Sequence, residues 1–186
     1  MSQTKLFVLF GPSGAGLSTI VERLFASRSD LTSVVPVTAR KMKDGEENGI
    51  GFFFYDLDGW NALKESGDLL ETTEFAGNDY GTSRALVNQQ LKNGKNVVLN
   101  LATARASQIK QNMPEAFCIF VAPSTSDVLR ARYEKTARSG FEISARMEMA
   151  MREQKSSGFR DATVFSDDED AAVKELNGII DRETGR

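Results

Sequence analysis

The chain contains no histidine at all. Catalysis by imidazole and histidine metal sites are therefore excluded, and any chemistry must rest on other groups. There is one cysteine, Cys118, so no disulfide can close within the chain. It lies in the apolar run AFCIFV at 116–121 and reads as a buried, inert thiol. No apolar stretch approaches the roughly 20 residues that a membrane-spanning helix needs. Basic residues are not in excess: 23 Lys and Arg face 26 Asp and Glu, a net charge of −3. No basic footprint argues for nucleic acid. The first strand pattern begins within a few residues of Met1, where a signal peptide would need its charged and apolar regions. These absences predict a cytoplasmic protein that engages neither membrane nor nucleic acid.

What is present is an α/β pattern. At 186 residues the chain is long enough for one domain with a real core. Short uninterrupted apolar runs at 5–10, 33–37, 96–101, 117–121 and 163–165 predict parallel strands buried on both faces. Helical patterns cover 18–27, 58–66, 83–93, 102–112, 126–137, 144–155 and 168–181. Thr82-Ser83 and the stretch 124–127 offer N-caps, and Gly94 fits a helix C-terminus. Strands alternating with helices predict a three-layer domain with a parallel sheet. The segment 38–81 breaks the rhythm: GIGFFFY at 49–55 and LLETTEF at 69–75 flank a short helix, like an inserted antiparallel β lobe. The segment 130–152 is rich in Arg and Glu, which suits a solvated helical face as well as a phosphate clamp. Met147, Met149 and Met151 on that helix read as ordinary packing.

The string GPSGAGLST at 11–19 follows the first strand and opens the first helix. Strand, glycine-rich turn and helix form the context of a phosphate-binding P-loop, G-x-x-x-x-G-K-[ST]. Gly11, Gly14 and Gly16 let the backbone approach a phosphate, and successive N–H groups at a helix start form an anion nest. Ser18 can offer its hydroxyl to a phosphate-bound Mg²⁺. One position departs: Leu17 stands where the motif has lysine. The loop keeps what binds a phosphate and loses the mobile cation that follows charge during transfer.

Further motifs extend this picture. Thr38-Ala-Arg40 precedes DGEENG at 44–49; GDLLE spans 67–71; FAGNDYGTS spans 75–83; VVLNL spans 97–101; CIFVAP spans 118–123. In order and spacing they resemble the guanylate kinase family over nearly the whole chain. The resemblance implies a P-loop NTPase core at 1–37, 82–125 and 153–186. It also implies an inserted β-rich GMP-binding lobe at 38–81 and a helical lid at 126–152. It implies ATP and GMP as substrates, Mg²⁺ with ATP, and phosphoryl transfer by closure over the phosphates.

The same resemblance assigns residues. ATP phosphates fall to Gly11, Pro12, Ser13, Gly14, Ala15, Gly16, Ser18 and Thr19, with Ser18 also toward the metal. GMP falls to Arg40, Lys43, Phe52, Glu71, Tyr80 and Thr82. Arg40 and Tyr80 match the groups on the acceptor phosphate, and Glu71 and Thr82 match those on the guanine edge. Lys43 matches an arginine and Phe52 a tyrosine. The lid arginines match Arg132 and Arg146, with Arg138 close to a third.

Other positions depart from the family. Ala102 stands for an aspartate after the second core strand, Met147 for the second arginine of the lid pair, Ser166 for an asparagine near adenine, and Pro36 for a serine. Leu17, Ala102 and Met147 each remove charge near the reacting phosphates. Removing one transition-state contact commonly costs roughly 10²–10³ in rate. Two readings follow. One is a slow guanylate kinase, with Arg138 or Lys135 standing in for the missing cation. The other is a pseudoenzyme that binds GMP, another nucleotide or a phosphorylated protein. Pro36 favours the latter, because it resembles the non-catalytic guanylate-kinase-like domains of scaffold proteins.

Overall fold

The computed structural model describes residues 3–137 and 139–186. Its first strand, β1 (Leu6–Phe10), is buried at every residue. Alternation explains how. Leu6, Val8 and Phe10 join one apolar cluster, with Val97, Leu99 and Phe120. Phe7 and Leu9 join another, with Ile20, Leu24 and Leu176. A strand covered on both faces needs no polar positions, so its run is continuous.

β1 is the middle of a five-stranded sheet with β2 (Leu31–Thr32), β7 (Asn96–Asn100), β8 (Phe117–Ala122) and β9 (Ala162–Phe165), ordered β2-β7-β1-β8-β9. Every pairing in it is parallel. Helices α1 (Leu17–Ser27) and α7 (Glu169–Thr184) cover one face through Ile20, Leu24, Leu176 and Ile180. Helices α3 (Arg84–Lys92) and α4 (Thr103–Asn112) cover the other through Val87, Ala106 and Ile109. The expected three-layer α/β core with a parallel sheet is thus present. Cys118 is fully buried in β8, and burial pushes its thiol up to about 11.

A second sheet forms from β3 (Val37–Thr38), β4 (Phe53–Phe54), β5 (Leu69–Phe75) and β6 (Asn78–Ser83), ordered β4-β3-β6-β5. β5 and β6 make a hairpin around Ala76-Gly77, both at positive φ (50° and 73°), as a tight two-residue turn requires. Helix α2 (Leu57–Glu65) buries Trp60 against this sheet at Gly81.

Three expectations change here. Of the strand expected at 33–37 only Val37 is in a strand, and strands lie to either side of 33–36. β2 pairs in the core sheet, the chain then crosses over, and β3 starts the second sheet after Pro36, which has no N–H to give to a ladder. The strand expected at 49–55 shrinks to β4, because Gly49 and Gly51 sit at φ 89° and 75°. The sheet is also mixed rather than antiparallel, since β3 and β4 run parallel. β6 carries Asn, Asp and Gly, poor strand formers, and is a strand because β3 and β5 pair with it on both sides.

The segment expected to form a lid comprises α5 (Ser126–Glu134) and α6 (Gly140–Lys155). α6 begins four residues earlier than its apolar pattern, because the Ser139 side chain caps it at the N–H of Glu142. Met147 packs with Leu129, Tyr133 and Ala150, as expected. Met149 and Met151 do not join that cluster: both are exposed. Among the described residues no helix is long and apolar enough to cross a membrane.

Candidate functional site

The P-loop residues 11–19 lie at the carboxyl end of β1, where open α/β sheets place their ligands. Backbone crowding explains the glycines. A Cβ on Gly11 would sit 1.9 Å from the carbonyl oxygen of Val121 on β8. Gly14 and Gly16 hold φ 82° and 79°, the left-handed region that side chains resist. The turn is closed by the Ala15 N–H donating to the Pro12 carbonyl at 3.0 Å. At the start of α1, Gly16 provides no side-chain cap and the first turn carries no acid. The N–H groups at that end remain for an anion, which the helix dipole also favours.

A cavity of about 560 Å³ opens over this loop, lined by residues 11–19 with Asn100, Leu101, Ala102, Met149 and Glu153. Its lining holds one carboxylate, Glu153, and no Lys or Arg. Burial pushes the Glu153 carboxyl above its ordinary range. Leu17 packs partly against the core cluster beneath α1. Ser18 and Thr19 are exposed in the first turn of α1. Ala102 occupies the N-cap position of α4, and no side chain caps that helix. A wider cavity of about 870 Å³ adjoins the first between α4 and α6, sharing Ala102, Met149 and Glu153.

Helix α5 rests on the outside of the loop. The Tyr133 hydroxyl donates to the Ser13 carbonyl, and Arg132 donates to the Gly14 carbonyl (3.2 Å) and the Ser166 carbonyl. Arg146 pairs with Glu142 (2.6 Å), donates to the Thr136 hydroxyl and lies 5.5 Å from the Tyr133 ring centre. Arg132 therefore reaches the loop directly, and Arg146 stands one layer behind it. Neither lines the P-loop cavity. Arg138 falls outside the described residues. Lys135 ends α5 as an exposed residue.

The second sheet gathers the other group. Tyr80 and Thr82 lie two apart on β6 and share a face, Glu71 pairs with Thr82 from β5, and Arg40 follows β3. Arg40 makes a fork to Glu46, at 2.7 and 3.0 Å, and lies over the rings of Phe52 and Phe54 at 5.7 and 5.2 Å. Phe52 in turn meets Tyr80, with ring centres 5.5 Å apart. The Arg40 fork, with the Lys43 backbone N–H, holds the Glu46 carboxyl down at about 2, and Glu46 raises Arg40 in return. Lys43 joins through its backbone, its N–H donating to the Glu46 carboxylate and its carbonyl accepting from the Glu46 N–H; its side chain is exposed.

Glu71 is fully buried and already partnered. Its Oε1 accepts from the Thr82 hydroxyl (2.7 Å) and from Arg105 Nη2 (2.7 Å), and its Oε2 accepts from Arg105 Nε (2.6 Å). Arg105 comes from α4, and it was missed in the sequence, where it reads as a surface charge. A signal existed: Arg105, Gln108 and Asn112 fall on one helix face. All three bond to β5. Gln108 pairs with both the N–H and carbonyl of Thr72, and Asn112 donates to the Leu70 carbonyl. Glu46 and Glu153 were missed as well, being single acids among many.

Comparison with known proteins is in keeping with this arrangement. The family model described as "Guanylate kinase" matches residues 3–183. The guanylate kinase of Parasynechococcus marenigrum (strain WH8102) is 38% identical over 176 residues, covering 94% of this chain and 97% of that protein. That of Hahella chejuensis (strain KCTC 2396) is 33% identical over 181 residues, covering 97% and 87%. The crystal structure of guanylate kinase from Anaplasma phagocytophilum superposes with a TM-score of 0.68 over 100% of this chain and 89% of that one. At 23% identity it speaks to the fold.

Proposed function

The chain belongs to the guanylate kinase family, and from that premise we propose that it is an ATP:GMP phosphotransferase of low turnover, converting ATP and GMP to ADP and GDP. The observation that carries this reading is the pairing of two half-sites. A backbone nest at 11–19 suits the phosphates of a nucleoside triphosphate. Arg40, Tyr80, Thr82 and Glu71 stand together on the second sheet with the chemistry for a phosphate and a guanine edge. In the reaction an oxygen of the GMP phosphate bonds to the γ-phosphorus as its bond to the β–γ bridging oxygen breaks. The chain's work is to hold the two in line and to balance charge.

Within this reading the nest of 11–19 orients the ATP phosphates, and Arg132 and Arg146 bring lid charge toward them on closure. Arg138 is the further candidate on the lid. Arg40 and Tyr80 hold the acceptor phosphate, Lys43 adds charge at the rim, Phe52 packs beside it, and Glu71 with Thr82 reads the base. The residues fit Mg²⁺ by its usual habit of one or two protein oxygens with waters and phosphates. Ser18 is exposed at the helix start and would hold it. No cluster of three or more His, Cys, Asp or Glu suited to a metal occurs among the described residues. When bound, the ion neutralises phosphate charge. Cytoplasmic residence belongs to the same proposal.

Low turnover rests on three positions that carry no charge. Leu17 packs toward the core, Ala102 offers no carboxylate, and Met147 is buried in the lid. The cation-free cavity also favours a second reading, a pseudoenzyme that binds GMP or a phosphorylated protein without turnover. A coupled ADP-release assay with ATP, Mg²⁺ and GMP separates the two, run beside GMP and AMP calorimetry. GMP-dependent turnover well below the ordinary kinase scale of roughly 1–100 s⁻¹ is expected. Turnover on that scale removes the slow reading, and none at all leaves the pseudoenzyme. GMP should bind ahead of AMP, and Glu71→Gln should erase most of the preference.

A further inference from the structure

We propose that Arg105 is an internal stand-in for the guanine edge, occupying Glu71 until GMP expels it. The inference rests on the reading of Glu71 as the base-reading group. Guanine offers a carboxylate two parallel N–H donors, from its N1–H and its exocyclic N2. The side-on fork of an arginine offers the same pattern through Nε and Nη2. Arg105 makes that contact with Glu71, at 2.6 and 2.7 Å. A carboxylate has about four lone-pair positions. Three are taken here, one of them by the Thr82 hydroxyl, whose only proton is thereby committed. The Glu71 side chain is 0% exposed and that of Arg105 is 25% exposed. The arginine therefore lies on the solvent side of the carboxylate, where an incoming base would have to sit.

The exchange is unfavourable for the nucleotide. An ion pair with two parallel hydrogen bonds is given up for two parallel hydrogen bonds from neutral donors, which lack the attraction between opposite charges. GMP must also displace a side chain anchored on α4, whose neighbours Gln108 and Asn112 keep that helix against β5. Arg105 thus sets the apparent GMP affinity without touching the reacting phosphates. A ligand that needs only the fraction of protein with Glu71 free binds weaker by that fraction. AMP has no paired donors on this edge, so it gains nothing from the release of Glu71.

The test follows the Arg105 Nε–H by nitrogen-15 NMR in wild-type protein, with calorimetry of GMP and AMP on wild type, Arg105→Lys and Arg105→Met. The expected result is an Nε–H that is protected without nucleotide and loses protection as GMP saturates, with AMP having no such effect. GMP should bind at least tenfold tighter to Arg105→Met and about threefold tighter to Arg105→Lys, with AMP unchanged within twofold. If Arg105→Met does not fold, the wild-type resonance and Arg105→Lys still decide. An Nε–H that stays protected at saturating GMP overturns the proposal and leaves Arg105 as a support for Glu71. So does GMP that is preferred over AMP yet binds the variants no tighter. Equal GMP and AMP affinity in wild type and both variants overturns the proposal by a different route. It removes the base-reading role of Glu71 itself.

Discussion

In the proposed function the P-loop and the second sheet meet the same demand, holding a phosphate, by different means. The P-loop is built from backbone: glycines at positive φ, a strand pressed against Gly11, and the start of α1. It keeps its shape with Leu17 where the P-loop pattern has lysine. The second sheet is built from side chains, and Arg40, Glu71 and Thr82 are already paired. Arg40 holds Glu46, and Glu71 holds Thr82 and Arg105. A backbone site survives substitution of what surrounds it, because its donors belong to the main chain. A side-chain site depends on which partners the fold delivers.

The sharpest way to probe the contrast is to return charge to the P-loop. Leu17→Lys alone is expected to raise GMP-dependent ADP release less than tenfold. Leu17→Lys with Ala102→Asp is expected to raise it at least about a hundredfold, since groups that act on one transition state are strongly non-additive. The two sites suit the change. A lysine stem can lie on the apolar surface that Leu17 covers, and an aspartate at 102 would also cap α4. Met147 does not suit arginine, because it packs with Leu129 and Tyr133 inside the lid. A double variant no faster than the single one would break the view that the loop lacks only charge.

Next in size is a comparison of two glycines by denaturant unfolding. Gly11→Ala drives a Cβ to 1.9 Å from a backbone carbonyl that cannot swing away, and is expected to cost about 3 kcal/mol. Gly45→Ala, in the loop between Arg40 and Glu46, meets nothing within 4 Å and is strained only by its φ of 83°. About 1 kcal/mol is expected there. Equal losses would show that the P-loop is no more tightly determined than the lobe.

The smallest effect is in pH. The Glu46 carboxyl lies at about 2 when folded, below its ordinary 4.5, chiefly through the Arg40 fork. A carboxylate with a lowered folded value stabilises the fold fully above its ordinary value. That contribution fades as pH falls from about 4.5 and is gone below about 2. A carbon-13 carboxyl titration should place Glu46 near 2 in wild type and return it to the ordinary range in Arg40→Met. An unchanged midpoint would show that the fork does not hold this carboxylate.

Legibility in the sequence follows the same division. The strands β1, β7, β8 and β9, most helix positions and the glycine-rich turn at 11–19 could be read directly, because each is a local pattern of apolar runs, caps and glycines. β5 was read to the residue, while β6 was not read as a strand: its Asn, Asp and Gly give no local preference, and its neighbours impose the pairing. Met149 and Met151 looked like packing, but only the docking of α6 says which side of that helix is covered. Arg40, Tyr80, Glu71 and Thr82 were legible as residue types at a familiar spacing.

The sequence by itself therefore determined an α/β chain with a glycine-rich strand-to-helix turn that carries Leu17 where the P-loop pattern has lysine. Periodicity and turn chemistry act over a few residues and need no distant partner. Only the tertiary structure decided that Glu71 is buried against Arg105, 34 residues further along the chain. It alone decided that the P-loop cavity is lined without a cation. Charge pairing and cavity lining are properties of surfaces brought together from separate segments, and no local pattern encodes which surfaces will meet.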